Sequence, residues 1–172
     1  MNQQKKKKYK KLMTKTREEM EKLLNLYQND AGCRFDFDYY SEKNKNPFEW
    51  KVLLEGLQGS IYEGGYYMIR INFSSDYPKS RPSLCFLNKI FHPHISDTGS
   101  VCIEESPKND ILTVLEVVEN MFLDYDADIT HAYGQKPREL LEKKQTEEFI
   151  RQAKAWVNDY AKLSDIDKYY DL

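Results

Sequence analysis

The sequence has no run of about 18 apolar residues, so no membrane-crossing helix is expected. Its first residues are too polar for the apolar stretch of a secretory leader. Cysteine is scarce and odd in number: Cys33, Cys85 and Cys102, without metal-ligand spacing among them. A disulfide framework is therefore disfavoured, and reduced thiols in a cytoplasmic or nuclear setting are expected. Net charge is nearly absent too. At −2 the balance gives no reason to expect nucleic acid or a membrane as partner. Internal repeats are missing, and no composition shift divides the chain into two domains.

What the chain does have is enough apolar material for one core. Of 172 residues, 40% are hydrophobic and 13% aromatic, which suits a single domain with short extensions. Charge is unevenly placed. Lys5, Lys6, Lys7, Lys8, Lys10 and Lys11 form a basic head, while Glu104, Glu105, Asp110, Asp124, Asp126 and Asp128 gather later. Such polarity favours charge-steered contacts with proteins. The organisation expected is a basic flexible extension over 1–8, a folded domain over 9–163 and a tail over 164–172.

The apolar pattern gives the elements. Leu12, Thr16, Met20, Leu23, Leu24 and Tyr27 lie on one face of a helix over about 9–28, ended by Asn29-Asp30-Ala31-Gly32. Cys33, Phe35, Phe37 and Tyr39 alternate with charged residues, as a half-buried strand does. Further strands are expected over 48–54, 67–73 and 83–87, separated by turns rich in glycine and proline. Residues 90–105 have no sustained period. A loop of that length in a compact domain is usually functional. Leu112, Leu115, Val118, Met121 and Phe122 mark a second helix, Pro137 suits the first turn of a third, and Phe149, Ala153, Trp156 and Tyr160 mark a last one. The order is α+β: a helix, four antiparallel strands in a meander, a long loop, then helices.

The long loop reads His92-Pro93-His94-Ile95-Ser96-Asp97-Thr98-Gly99-Ser100-Val101-Cys102-Ile103. It resembles the active-site segment of ubiquitin-conjugating enzymes, in which a His-Pro-Asn triplet precedes Gly-x-(Ile/Val)-Cys-(Leu/Ile). The offset of ten positions (102 − 92) from His92 to Cys102 is the family's spacing. Tyr62-Glu63-Gly64-Gly65 is similar to the family's Tyr-x-Gly-Gly turn, and Asp76-Tyr77-Pro78 with Pro82 to its Tyr-Pro…Pro signature. Lys89-Ile90-Phe91 leads into the loop as in the family, and residues 155–161 resemble the last helix of several members.

The resemblance implies a fold and a chemistry. Cys102 would be the nucleophile that holds ubiquitin or a ubiquitin-like protein as a thioester, received from an activating enzyme and passed to a lysine or a ligase. A thiolate nucleophile must be reachable. The Ser- and Gly-flanked setting of Cys102 favours exposure, whereas Cys33 and Cys85, in strands, should be buried. His92 would hold the loop by hydrogen bonds. His94 replaces the family's asparagine, so it would partly fill that residue's loop and oxyanion role, with a rate more dependent on pH. Asp128, with Asp126 beside it, is a candidate for orienting the incoming lysine, although either also suits a surface or cap position. The first helix, with Lys10, Lys11 and Lys15, would meet the activating enzyme, and Tyr77, Pro78 and Lys79 a ligase. Lys79 stands where an aromatic is usual, and the Trp-Ser-Pro element is missing after Cys102, so the docking mode would differ. No cofactor and no metal are implied, since His92, His94 and Cys102 find no fourth ligand.

Two functions stay open: an active carrier of ubiquitin or a ubiquitin-like protein acting on protein substrates, or a weak or inactive variant that only binds such a protein. Retention of Cys102 supports the first; His94 and the missing Trp-Ser-Pro element keep the second.

Overall fold

A computed structural model describes residues 3–28, 35–38, 48–103 and 108–170. The first helix, α1, runs Gln3–Gln28. Leu12, Thr16 and Glu19 are buried, and their spacing puts them on one face. Lys10, Lys11 and Arg17 point to solvent. Met20, Leu23, Leu24 and Tyr27, expected on the same face as Leu12, lie outside the described side chains. The helix thus begins within the stretch 1–8 that was expected as a flexible extension. Lysine is a good helix former, and adding turns to an existing helix avoids a new nucleus.

Four strands follow: β1 (Phe35–Asp38), β2 (Glu49–Glu55), β3 (Tyr66–Asn72) and β4 (Ser83–Phe86). They pair antiparallel in the order β1-β2-β3-β4. Cys33, Arg34 and Tyr39, expected in the first strand, lie outside the described residues. In the β2–β3 register Trp50 faces Ile71, Val52 faces Ile69 and Leu54 faces Tyr67. All six are at most 1% exposed and belong to the core, so alternate residues of each strand share the inner face.

Helix α2 (Ile111–Leu123) covers that face with Ile111, Val114, Leu115, Val118 and Phe122. Asp110 caps it, accepting from the Thr113 N–H at 3.0 Å, as N-caps do. A short 3₁₀ turn (Ile129–His131) leads to α3 (Gln135–Glu142) and α4 (Thr146–Tyr160). Phe149 and Ala153 of α4 enter the core, and Trp156 meets Phe91 edge-on at 5.2 Å. A second 3₁₀ turn (Leu163–Asp165) and α5 (Asp167–Tyr170) follow. The expected tail is thus partly folded, with Ile166 1% exposed. No helix among the described residues is long and apolar enough to cross a membrane.

One polar contact joins the first helix to the second. The Tyr77 hydroxyl donates to the Glu19 carboxylate and accepts from the Ile111 N–H at 3.0 Å. Glu19 also pairs with Lys15 at 3.0 Å. Burial, then the bond to Glu19, pushes the Tyr77 hydroxyl's pKa far above its ordinary value. Tyr77 is therefore corrected as a ligase-docking residue: at 7% exposure it is part of the core, while Pro78 and Lys79 beside it are exposed. Replacing Tyr77 by Phe leaves both Glu19 and the Ile111 N–H short of a partner. The expected loss is about 1–3 kcal/mol in urea unfolding, with the fold intact; a change within error would show that the bridge contributes nothing.

Candidate functional site

The segment after β4 is irregular in period but closely held. The Gly99 carbonyl accepts from Phe86 N–H at 2.8 Å, and Val101 N–H donates to Leu84 at 3.2 Å. Residues 99–101 thereby run antiparallel along β4, with Cys85 bridged to Ser100. They cover what would otherwise be an open sheet edge. Gly99 makes the approach possible. Its φ is +85°, and a Cβ there would stand 2.0 Å from the Phe86 carbonyl oxygen. The segment also folds on itself, with Ile95 bridged to Val101 and the Ser96 N–H bonded to Ser100 at 2.9 Å. The next rung is the candidate nucleophile: the Cys102 N–H donates to the His94 carbonyl at 2.8 Å.

His92 is the centre of this arrangement. Its ring is 1% exposed. Nε2–H donates to the Met121 carbonyl at 2.9 Å, and Nδ1 accepts from the His94 N–H at 3.0 Å. The Met121 carbonyl lies in the last turn of α2, where helix carbonyls need outside donors. These two partners fix the tautomer, because a carbonyl only accepts and an N–H only donates. Burial holds the pKa of the ring down to about 3, opposed by the Met121 bond and assisted by His94. A neutral ring with both nitrogens committed cannot act as a base without giving up the loop.

Three more struts fix the neighbours. The Tyr62 hydroxyl, fully buried, donates to the Phe91 carbonyl at 2.9 Å. Its ring meets Phe122 of α2 edge-on at 5.0 Å. The Gly134 N–H donates to the Pro93 carbonyl at 2.7 Å. His94 is half-buried, and its Nε2–H donates to the Ala127 carbonyl at 2.7 Å. His94 thus ties the cysteine-bearing segment to the acidic loop 124–128. Tyr125 anchors the same loop by stacking on Phe149 at 4.9 Å.

The site residues named from sequence fare differently. Cys102, His92 and His94 come together on one frame. Cys102 is 7% exposed, while Cys85 is half-buried, so the expected order of exposure is reversed. The reason is the docking of 99–101 on β4 and the backbone bond to His94, which draw the segment inward. Cys102 nevertheless lies outside the main core cluster. Cys33 is outside the described residues, as are Glu104 and Glu105. Asp128 caps the 3₁₀ turn, accepting from the Thr130 N–H at 3.3 Å; Asp126 is exposed. Lys10, Lys11 and Lys15 sit on α1, far along the chain from the loop, and Lys15 is engaged with Glu19. Sequence reasoning missed Tyr62, Met121, Ala127 and Gly134 as supports. For Tyr62 a signal existed, its place in the Tyr-x-Gly-Gly motif. Met121 and Ala127 act through backbone carbonyls, which leave no mark on residue type.

The family model for "Ubiquitin-conjugating enzyme" matches residues 15–157. The chain is 39% identical over 62 residues to an Arabidopsis thaliana protein described as "Probable ubiquitin-conjugating enzyme E2 31", covering 36% of this chain. That match spans 40% of the relative's length. A crystal structure from Plasmodium yoelii, described as "a putative ubiquitin conjugating enzyme", superposes with a TM-score of 0.69 at 27% identity. It covers 87% of this chain and 94% of its own.

Two predictions test the frame. The pKa of His92 is lower folded than its ordinary 6.5, so above that pH its contribution to stability is complete. As the pH falls below it, the unfolded chain takes a proton that the folded ring refuses. Stability then declines toward pH 3, by up to about 1.4 kcal/mol per pH unit from this group. In urea titrations the stability gap between wild type and His92→Gln should narrow on acidification; a constant gap would remove the buried ring as its cause. Gly134→Ala would put a Cβ 2.4 Å from the His92 carbonyl oxygen and 2.9 Å from that of Ile95. Backbone must move, and a loss of about 1–3 kcal/mol is expected. Unchanged melting and unchanged amide shifts over residues 92–95 would contradict it.

Proposed function

Because this chain belongs to the ubiquitin-conjugating enzyme family, we propose that it accepts ubiquitin or a ubiquitin-like protein as a thioester on Cys102 and passes it to a protein amine or a ligase. The observation that carries this reading is the rung between Cys102 and His94, held by the buried His92 ring. It fixes the one reactive group in the segment relative to α2 and to the loop 124–128.

The chemistry is two acyl transfers. The Cys102 thiolate attacks the carbonyl carbon of the thioester on the activating enzyme, whose thiolate leaves. The acceptor amine then attacks the carbonyl held on Cys102, the amine loses a proton, and the Cys102 thiolate leaves. A thiolate serves both steps because it is a good nucleophile and a good leaving group. Protein partners follow from the steps: an activating enzyme, the carried protein, and an acceptor or a ligase. The exposed Lys10 and Lys11 of α1 offer a cationic surface for the first of these, and the exposed Pro78 and Lys79 a site for the last.

His94 acts by position. Its Nε2–H is committed to the Ala127 carbonyl, so it holds the acceptor-side loop instead of pointing a free donor at the reacting carbonyl. That bond ties the ring to the loop 124–128, where the residue type alone suggested a donor free to meet the reacting carbonyl. Asp126 and Asp128 flank Ala127 on the braced loop and are the candidates for orienting an incoming amine.

The low exposure of Cys102 is what would favour the alternative of a binding module without transfer, and one assay separates the two. Cys102→Ser should convert a reducible adduct into a stable oxyester when incubated with activating enzyme and each of several ubiquitin-like proteins. If wild type forms no adduct with any of them, the transfer reading fails. His94→Ala should slow discharge to free lysine by about ten- to a hundredfold through misplacement of the loop. His94→Asn, whose amide also carries N–H donors, should keep more of the rate than His94→Ala; equal losses in the two variants would show that the ring's hydrogen bond does not matter to the step.

A further inference from the structure

The run that carries Cys102 lies along β4 in one antiparallel register. Cys85 stands opposite Ser100, the Phe86 N–H donates to the Gly99 carbonyl, and the Val101 N–H donates to the Leu84 carbonyl. Bonding positions alternate along such a pair, so those of β4 recur at every second residue. After Phe86 and Leu84 the next is position 82. Two steps back along β4 match two steps forward along the run, which sets position 82 opposite Ile103. Cys102, between Val101 and Ile103, turns its N–H the other way, to the His94 carbonyl at 2.8 Å.

In that register the donor for the Ile103 carbonyl would be the N–H of residue 82. Residue 82 is a proline, buried and with no N–H to give. The side chain before it supplies the missing donor: Arg81 Nη1–H donates to the Ile103 carbonyl. The residue before a proline favours extended backbone, the conformation in which position 81 prolongs β4. Guanidinium suits the task. It only donates, it keeps its charge at any working pH, and a charged donor makes a stronger bond than a peptide N–H.

The loop that bears Arg81 is itself held. Asn109 Nδ2 donates to the Lys79 carbonyl at 2.8 Å, the Lys79 N–H to the Asp76 carbonyl at 2.8 Å, and the Ser74 and Ser80 hydroxyls share a bond. Tyr77, in the same loop, joins α1 to α2. Arg81 therefore reaches the cysteine segment from a fixed base. We propose that Arg81 is a positioning residue for Cys102: its guanidinium takes the place of the rung that Pro82 cannot make, and fixes the backbone leaving the cysteine as the His94 carbonyl fixes the backbone entering it. The effect on transfer rests on the reading of Cys102 as the acyl carrier; the effect on access to the thiol does not. Arg81 stands between Pro78 and Pro82 of the Tyr-Pro…Pro signature, at a position the signature leaves open, so the motif alone does not mark it.

Alkylation of the full chain by iodoacetamide, followed at each cysteine by mass spectrometry, tests the placement without any partner. Arg81→Met keeps an unbranched apolar stem and removes the donors. Cys102, 7% exposed in the wild-type fold, should react about three- to tenfold faster in Arg81→Met, with Cys85 unchanged. Arg81→Lys keeps a charged donor and should recover part of the protection. Discharge of a Cys102 thioester to free lysine should slow by about three- to tenfold at saturating lysine in Arg81→Met, with the half-saturating lysine concentration unchanged. Equal alkylation of Cys102 in wild type and Arg81→Met would overturn the proposal, whether or not the chain forms a thioester. So would a matching rise at Cys85, which would mean general loosening, or an Arg81→Lys chain as unprotected as Arg81→Met. An unaltered discharge rate from a thioester that does form would overturn it as well. A wild type that forms no adduct would sink the transfer reading alone, and alkylation would still decide the role of Arg81.

Discussion

The site depends on one buried imidazole. His92 joins a helix end that needs a donor to a loop that needs an acceptor, and it does so with a single rigid ring. The Met121 carbonyl would otherwise be an orphan of the last turn of α2, and the His94 N–H an orphan of the loop. Burial keeps the ring neutral, and neutrality keeps Nδ1 an acceptor. From there the order passes outward in short steps: His94 N–H to His92, Cys102 N–H to the His94 carbonyl, His94 Nε2–H to Ala127. A loop without helix or strand thereby acquires a fixed backbone.

That backbone is fixed from several independent elements. Tyr62 comes from the turn before β3, Met121 from α2, Gly134 from the entry to α3, and Phe86 and Leu84 from β4. Each bond is worth only about 1 kcal/mol net, so no one of them accounts for the placement. Their convergence does, since the loop would have to break several at once to move as a body. The arrangement holds the Cys102 backbone in one place relative to α2 and β4. It does so on a segment free of the side-chain alternation a true strand would impose.

Period and order made the scaffold legible. Strands β2 to β4 and helix α2 follow the alternation of apolar residues within a residue or two of their ends, because burial of one face dominates their energetics. The His-Pro-His…Cys segment was legible as a motif. Exposure was not. Cys102 was expected outside and Cys85 inside, since residue type and neighbours say nothing of the 99–101 run lying along β4. Tyr77 misled for a related reason: its motif speaks of a loop, while its hydroxyl is occupied by Glu19, fifty-eight positions earlier in the chain (77 − 19). The lysines at the start of α1 carry no apolar period to mark a helix, although lysine is a good helix former.

The burial of Cys102 bears on how a carrier of this kind would work. A cysteine whose backbone is held by His94 and whose residue is 7% exposed offers little area to a partner, so a carried protein would have to find its contacts on surfaces other than the thiol itself. Reactivity and recognition are thus assigned to different parts of the fold. The frame around His92 fixes the backbone of Cys102, while exposed charge lies elsewhere, on α1 and in the loop at Pro78. Substitution of asparagine by histidine in the motif fits this division. The His94 ring ties two loops together while its carbonyl carries the backbone rung of the cysteine.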